Sequence, residues 1–230
     1  MSKTNAIVSL VALALFILSG CGSEKASQDK QKVATEKEKV VEQKPVVMFF
    51  GNSITAGYGL DMDQAFPAII QRKMDSLGYN YQVVNAGLSG ETTAAGVNRI
   101  DWVLRTVPDI FVLELGANDG LRGLKLTETK KNLQKIMDRV REVNPEVKIL
   151  LTGMEVPPNL GGDYAAQFRE LFAELAQEND VAFLAFILEG VAGNPSLNLA
   201  DGIHPTPEGH LIVADLVWTA LKPLLEKPSS

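Results

Sequence analysis

Three residues have the types that nucleophilic catalysis uses: Ser53, and far from it in the chain the close pair Asp201 and His204. Ser53 lies in Gly51-Asn52-Ser53-Ile54-Thr55, directly after the apolar run Val46-Val47-Met48-Phe49-Phe50. Such a run reads as a fully buried strand. Ser53 is therefore predicted in a strand-to-loop turn, just past the carboxyl end of the first strand. Ligand crevices of open α/β sheets lie at those ends, and a serine there can present its hydroxyl to a substrate. It can equally be a turn or helix-cap serine. Gly51, without a Cβ, lets the backbone turn sharply and approach a neighbour closely. Three other glycine-rich readings fail. A dinucleotide fingerprint would need a third glycine where Met62 stands. A P-loop would need a lysine, and none occurs between Lys44 and Lys73. A nucleophile elbow would need glycine where Thr55 stands. What remains is a serine that needs a base from elsewhere.

The chain has only two histidines, His204 and His210. His210 falls about one turn into the last predicted helix and reads as structural or surface. His204 lies in the loop before it, in Asp201-Gly202-Ile203-His204-Pro205. Aspartate three residues before histidine in a turn lets the carboxylate reach the ring, fix its tautomer and leave the other nitrogen free as a base. The same residues can also form a turn that merely caps the helix after it. Acyl transfer further needs donors for an oxyanion. Gly90, in the turn Ala86-Gly87-Leu88-Ser89-Gly90-Glu91-Thr92, offers an unhindered N–H. Asn118, in Gly116-Ala117-Asn118-Asp119-Gly120, offers a side-chain amide. Either alone reads as turn chemistry. With Ser53 and the Asp201–His204 pair they make four candidate elements at strand ends or edge loops.

The elements that must position these groups alternate. Strands are predicted at about 46–50, 81–85, 110–115, 147–152 and 181–186. Helices are predicted at about 63–77, 93–106, 127–143 and 164–178, and from Pro207, with Thr206 as cap, to near Leu221. Strands alternating with helices imply a mostly parallel five-stranded sheet covered on both faces, a three-layer α/β/α sandwich. The chain of 230 residues is 46% hydrophobic, enough for one sizeable core. Its net charge of -6 argues against a nucleic-acid partner.

The N-terminus reads as targeting rather than fold. Lys3 precedes the apolar run from Ala6 to Leu18, which is short for a membrane span. Residues 1–20 are expected to be a signal peptide. Leu18-Ser19-Gly20-Cys21 resembles the bacterial lipobox, with the chain's only cysteine at the position that would be lipidated. Residues 22–44 hold six lysines and five acidic residues, and no aromatic. They are expected to be a disordered tether, so that 21–44 link the lipid to a domain at 45–230. Gly22 is not the aspartate that resembles an inner-membrane retention signal. The expected location is the cell envelope, in the outer membrane where one exists.

Gly51-Asn52-Ser53-Ile54-Thr55, Gly90, Gly116-Ala117-Asn118-Asp119 and Asp201-Gly202-Ile203-His204 resemble, in order and spacing, four blocks of the SGNH (GDSL) hydrolases. The likeness spans about residues 45–225. It is nearest to the thioesterase I / lysophospholipase L1 / arylesterase branch, through Ala56-Gly57-Tyr58-Gly59, Ser89-Gly90-Glu91-Thr92 and Asn118-Asp119-Gly120-Leu121-Arg122-Gly123. The resemblance implies a flavodoxin-like SGNH fold. It also implies Ser53 as nucleophile, His204 as base and then acid, Asp201 as its orienting partner, and an oxyanion hole from Ser53 N–H, Gly90 N–H and the Asn118 amide. One position departs from the family: Asn52 stands where aspartate is usual. The change removes a charge beside the nucleophile, while asparagine can still hydrogen-bond the turn.

The function expected on this basis is hydrolysis of carboxylic esters, lysolipids or thioesters of modest acyl chain by a monomer, with no cofactor and no metal. Leu121, Leu124, Pro157, Pro158 and Leu160 are candidates to line an acyl slot. A deacetylase of envelope carbohydrates, or a lipid-anchored binding protein with a silent site, are the alternatives.

Overall fold

Two neighbouring strands inside the sheet are apolar enough to be buried on both faces. They are β1 (Val46–Gly51) and β3 (Ile110–Glu114), which pair in parallel from Val47 opposite Ile110 to Gly51 opposite Glu114. The computed structural model describes residues 44–157 and 160–226; the predicted signal peptide, Cys21 and almost all of the tether lie outside the described residues. Outward from the centre lie β2 (Gln82–Gly87) beside β1, then β4 (Lys148–Thr152) beside β3, and β5 (Ala182–Leu184) at the far edge. The order β2-β1-β3-β4-β5 is parallel throughout. Chain direction across the sheet therefore reverses between β1 and β3, and the crevice of such a sheet opens there.

Between β1 and β2 run a one-turn helix, α1 (Ser53–Ala56), and α2 (Phe66–Ser76). The remaining helices are α3 (Thr93–Val103), α4 (Ala117–Leu121), α5 (Leu126–Val143), α6 (Gly162–Asn179) and α7 (Pro207–Leu221). Helices α2 and α7 pack together, while α3 packs on α5 and α5 on α6. The result is the expected three layers. Helix α5 shows why: Thr129, Leu133, Ile136, Met137 and Val140 are its buried residues, one stripe at helical spacing, with charged residues opposite.

Helix α7 begins as its sequence indicates. Thr206 Oγ1 accepts from Gly209 N–H at 3.2 Å, and Pro207 occupies the first turn. Helix α2 does not. The predicted start near Asp63 is instead a turn, closed by Gln64 N–H on the Asp61 carbonyl and by the Gln64 side chain on Asp61 N–H. The helix starts at Phe66, and Ala65 supplies no side-chain cap. Its Phe66 N–H donates to His210 Nδ1 at 3.1 Å. His210 is thus structural, as the sequence suggested, and its task is to cap α2 from α7. It is 1% exposed, and burial, helped by the charge of His204, lowers its pKa to about 4.

Candidate active site

Every candidate residue sits past the carboxyl end of a strand. Ser53 follows β1, Gly90 follows β2, Asn118 follows β3, and Asp201 and His204 lie in the long loop between β5 and α7. The expected strand-to-loop turn at Ser53 is in fact helical: Ser53 is the first residue of α1, and Asn52 is its N-cap. Asn52 Oδ1 accepts from Ile54 N–H at 3.0 Å. At the other end Gly57, at φ +74°, closes the turn, and Tyr58 N–H bonds the Ser53 carbonyl at 3.0 Å. The Ser53 N–H, at the first turn, has no helical acceptor.

Ser53, His204 and Asp201 form one hydrogen-bonded line. Ser53 Oγ lies 2.8 Å from His204 Nε2, and His204 Nδ1 lies 2.7 Å from Asp201 Oδ2. Asp201 Oδ1 accepts from Ile203 N–H at 2.8 Å and His204 N–H at 3.0 Å. The loop thus folds around its own carboxylate. The backbone and ring N–H groups of His204, with the Ile203 N–H, hold the Asp201 pKa down to about 2. Asp201 therefore stays ionised and fixes the Nδ1–H tautomer, so Nε2 faces the hydroxyl with its lone pair. The Tyr58 ring lies against the imidazole, centroids 4.5 Å apart, a contact that sequence spacing did not reveal.

Asn118 and Gly90 are brought to the same edge and tied together. Asn118 Nδ2 donates one hydrogen to the Glu91 carbonyl at 3.0 Å, which orients the amide and leaves its second hydrogen available. Arg122 Nη2 donates to the Gly90 carbonyl at 3.2 Å. Gly90 sits at φ +80°, a conformation that a side chain would disfavour, and the space beside its Cα is open. Glu91 is buried against Arg99, whose guanidinium also reaches the Ala86 carbonyl and lies over the Phe50 ring. The turn after β2 is anchored through this pair.

The close approach expected at Gly51 is present. A Cβ there would collide with the Thr55 hydroxyl and the Glu114 carboxylate, so the close approach is to Thr55 and Glu114. Glu114 was missed in the sequence, although a signal was present: it is the single charge in the buried run Ile110-Phe111-Val112-Leu113-Glu114-Leu115. The proposed acyl-slot residues Leu121, Leu124 and Leu160 are exposed, with Leu121 in α4 rather than a loop; Pro158 lies outside the described residues.

A sequence profile of the GDSL-like Lipase/Acylhydrolase family matches residues 49–212. The chain belongs to that family. Within the GDSL-like hydrolases it is 38% identical to "Esterase TesA" of Pseudomonas aeruginosa over 180 residues, covering 78% of this chain and 89% of that protein. It is 35% identical to "Thioesterase 1/protease 1/lysophospholipase L1" of Escherichia coli K12 over 184 residues, 80% of this chain and 86% of that protein. Among solved structures, TesA superimposes with a TM-score of 0.75 over 78% of this chain and 99% of its own, at 38% identity. AlinE4, an SGNH-hydrolase family esterase, does so at 0.65 over 80% and 98%, also at 38% identity. Membership makes the chain an ester-cleaving hydrolase with the SGNH α/β fold.

Proposed function

We propose that the chain hydrolyses carboxylic esters or thioesters, of arylesterase, lysophospholipase or acyl-thioesterase type, through an acyl-enzyme on Ser53. The observation that carries this reading is the line Asp201–His204–Ser53, at 2.7 and 2.8 Å. Ser53 Oγ attacks the carbonyl carbon as His204 Nε2 takes its proton. The oxyanion lies between Ser53 N–H, Gly90 N–H and the free hydrogen of Asn118 Nδ2. The tetrahedral adduct expels alcohol or thiol, which takes the proton from His204. Water then attacks the acyl-enzyme, giving a proton to His204, and the acid leaves as Ser53 recovers it. All five residues belong to one chain, which supports action as a monomer.

Large apolar side chains favour an acyl group over an acetylated sugar. Leu88 stands two residues before Gly90, Ile203 adjoins His204, and Tyr58 covers its ring; all three are about half exposed. Rates on p-nitrophenyl esters from acetate to palmitate, beside an acetylated sugar, test the reading. The expected optimum is a medium chain. A preference for the sugar would favour envelope deacetylation, and no hydrolysis of any of them would leave a binding protein. Leu18-Ser19-Gly20-Cys21 supports lipidation of Cys21 and anchoring in the cell envelope. Cys21→Ser is expected to remain unprocessed or to move to the soluble fraction, and unchanged detergent partitioning without a mass difference would refute the anchor.

Asn118→Ala tests the oxyanion hole. A ground-state carbonyl needs its donors less than the oxyanion does, so the loss belongs in kcat. Removing one such donor typically costs about 3–4 kcal/mol, roughly 10²–10³ in rate. The variant is expected to fold, keep KM within about threefold and lose roughly a hundredfold in kcat. Retention of more than half of kcat, with chemistry rate-limiting, would leave the hole to backbone donors alone.

A further inference from the structure

Glu114 is 0% exposed, at the last position of β3, and its carboxylate faces the turn that carries Ser53. Oε1 accepts from Asn52 Nδ2 at 2.6 Å. Oε2 accepts from Thr55 Oγ1 at 2.7 Å, and from the backbone N–H groups of Asn52 and Thr55, each at 3.1 Å. Four donors, from the residue before Ser53 and the residue two after it, thus converge on one carboxylate. Three of them, the two backbone N–H groups and the Asn52 amide, can only donate. On its other side Asn52 presents Oδ1 to Ile54 N–H and, at 3.4 Å, to Ser53 Oγ. The carboxylate therefore holds the Asn52 amide, whose oxygen caps the first turn of α1 and lies beside the serine hydroxyl, which gives its single hydrogen to His204.

We propose that Glu114 is the positioning residue of this active site, its carboxylate clamping α1 so that Ser53 meets His204, and that asparagine at position 52 lets the clamp work as a lone carboxylate. Aspartate, usual in the family at this place, would put two carboxylates where the amide and carboxylate now meet, and they could coexist only by sharing a proton. Asn52 supplies the hydrogen permanently. The clamp sits in low dielectric: burial pushes the Glu114 pKa up to about 7, against the opposing pull of the Thr55 and Asn52 hydrogen bonds. The polar groups that touch it come from Asn52 and Thr55, none of them titratable; His204 lies across Ser53.

The proposal rests on Ser53 as nucleophile, and a reciprocal exchange tests it. In Glu114→Gln the new amide would face the Asn52 amide, donor against donor. We expect a folded variant with kcat lowered about a hundredfold, the scale of a misplaced reacting group, and KM within about threefold. The double variant Asn52→Asp/Glu114→Gln reverses the hydrogen bond and keeps the charge. It is expected to return to within about fivefold of wild type. Asn52→Asp alone is expected to be active at low pH and to lose activity on the alkaline side, where the shared proton is lost and wild type holds a plateau. This arm needs no Glu114 substitution, so it decides the matter even where Glu114→Gln does not fold. A folded Glu114→Gln with wild-type kcat, a double variant no better than Glu114→Gln, or Asn52→Asp with the wild-type pH profile would each overturn the proposal. Full activity of Ser53→Ala would instead overturn the nucleophile assignment.

Discussion

Ser53→Ala is expected to lose essentially all ester hydrolysis, a fall of roughly 10⁴–10⁶ in kcat, as when the nucleophile of a serine hydrolase is removed. The residue after it in the chemistry, His204, would then have no oxygen to deprotonate, although Gly90, Asn118 and the backbone at 53 could still polarise a bound carbonyl. That residual polarisation is why some rate over water should persist. The fold is not at stake. The Ser53 hydroxyl bonds His204 Nε2, while α1 is held by backbone and by Asn52. A fluorophosphonate should label wild type and not the variant, and circular dichroism should be unchanged. Labelling of both at equal rates would remove Ser53 from the mechanism.

His204→Ala has the next largest effect, roughly 10⁴–10⁶ in kcat, and a signature of its own. A base must be neutral to take the serine proton, so kcat/KM should climb on the acid side as the imidazole deprotonates. In His204→Ala the residual activity should lack that limb. His210 is the control. Burial already keeps it neutral down to about pH 4, and its Nδ1 is committed to Phe66 N–H. His210→Asn can accept the same hydrogen bond, and should keep both the limb and most of kcat. A folded His210→Asn as inactive as His204→Ala would reverse the assignment.

The fold was legible where local pattern and global position agree. The run 46–50 and the run 110–115 contain almost nothing but large apolar residues, so burial on both faces was the only stable placement. Thr206-Pro207 announced the start of α7 through two independent capping preferences. Helix α2 was placed three residues early because its true cap, His210, comes from 144 positions away and leaves no mark nearby. The one-turn α1 is too short to show a period, and it exists because Asn52 and Glu114 satisfy its first turn. Asp201 and His204 were readable because they are neighbours in sequence and their geometry is local. Glu114 was not read as part of the site, since its partners reach it only across the β1–β3 pairing. Tyr58 belongs to the same class, an aromatic that finds the imidazole through tertiary packing.

The separation of 151 residues between Ser53 and His204 also sets when activity can begin. A chain made at about 5–20 residues per second exposes its serine roughly 8–30 s before its histidine. During that interval β1, β2 and β3 can pair, and the clamp from Glu114 can close, but no base is present. Contacts of such high sequence separation form late and slow folding. The nascent chain is therefore catalytically inert by construction: hydrolytic competence arrives only when the loop before α7 docks. A ribosome-stalled chain ending before residue 200 should bind neither substrate productively nor a fluorophosphonate, however well its sheet has formed.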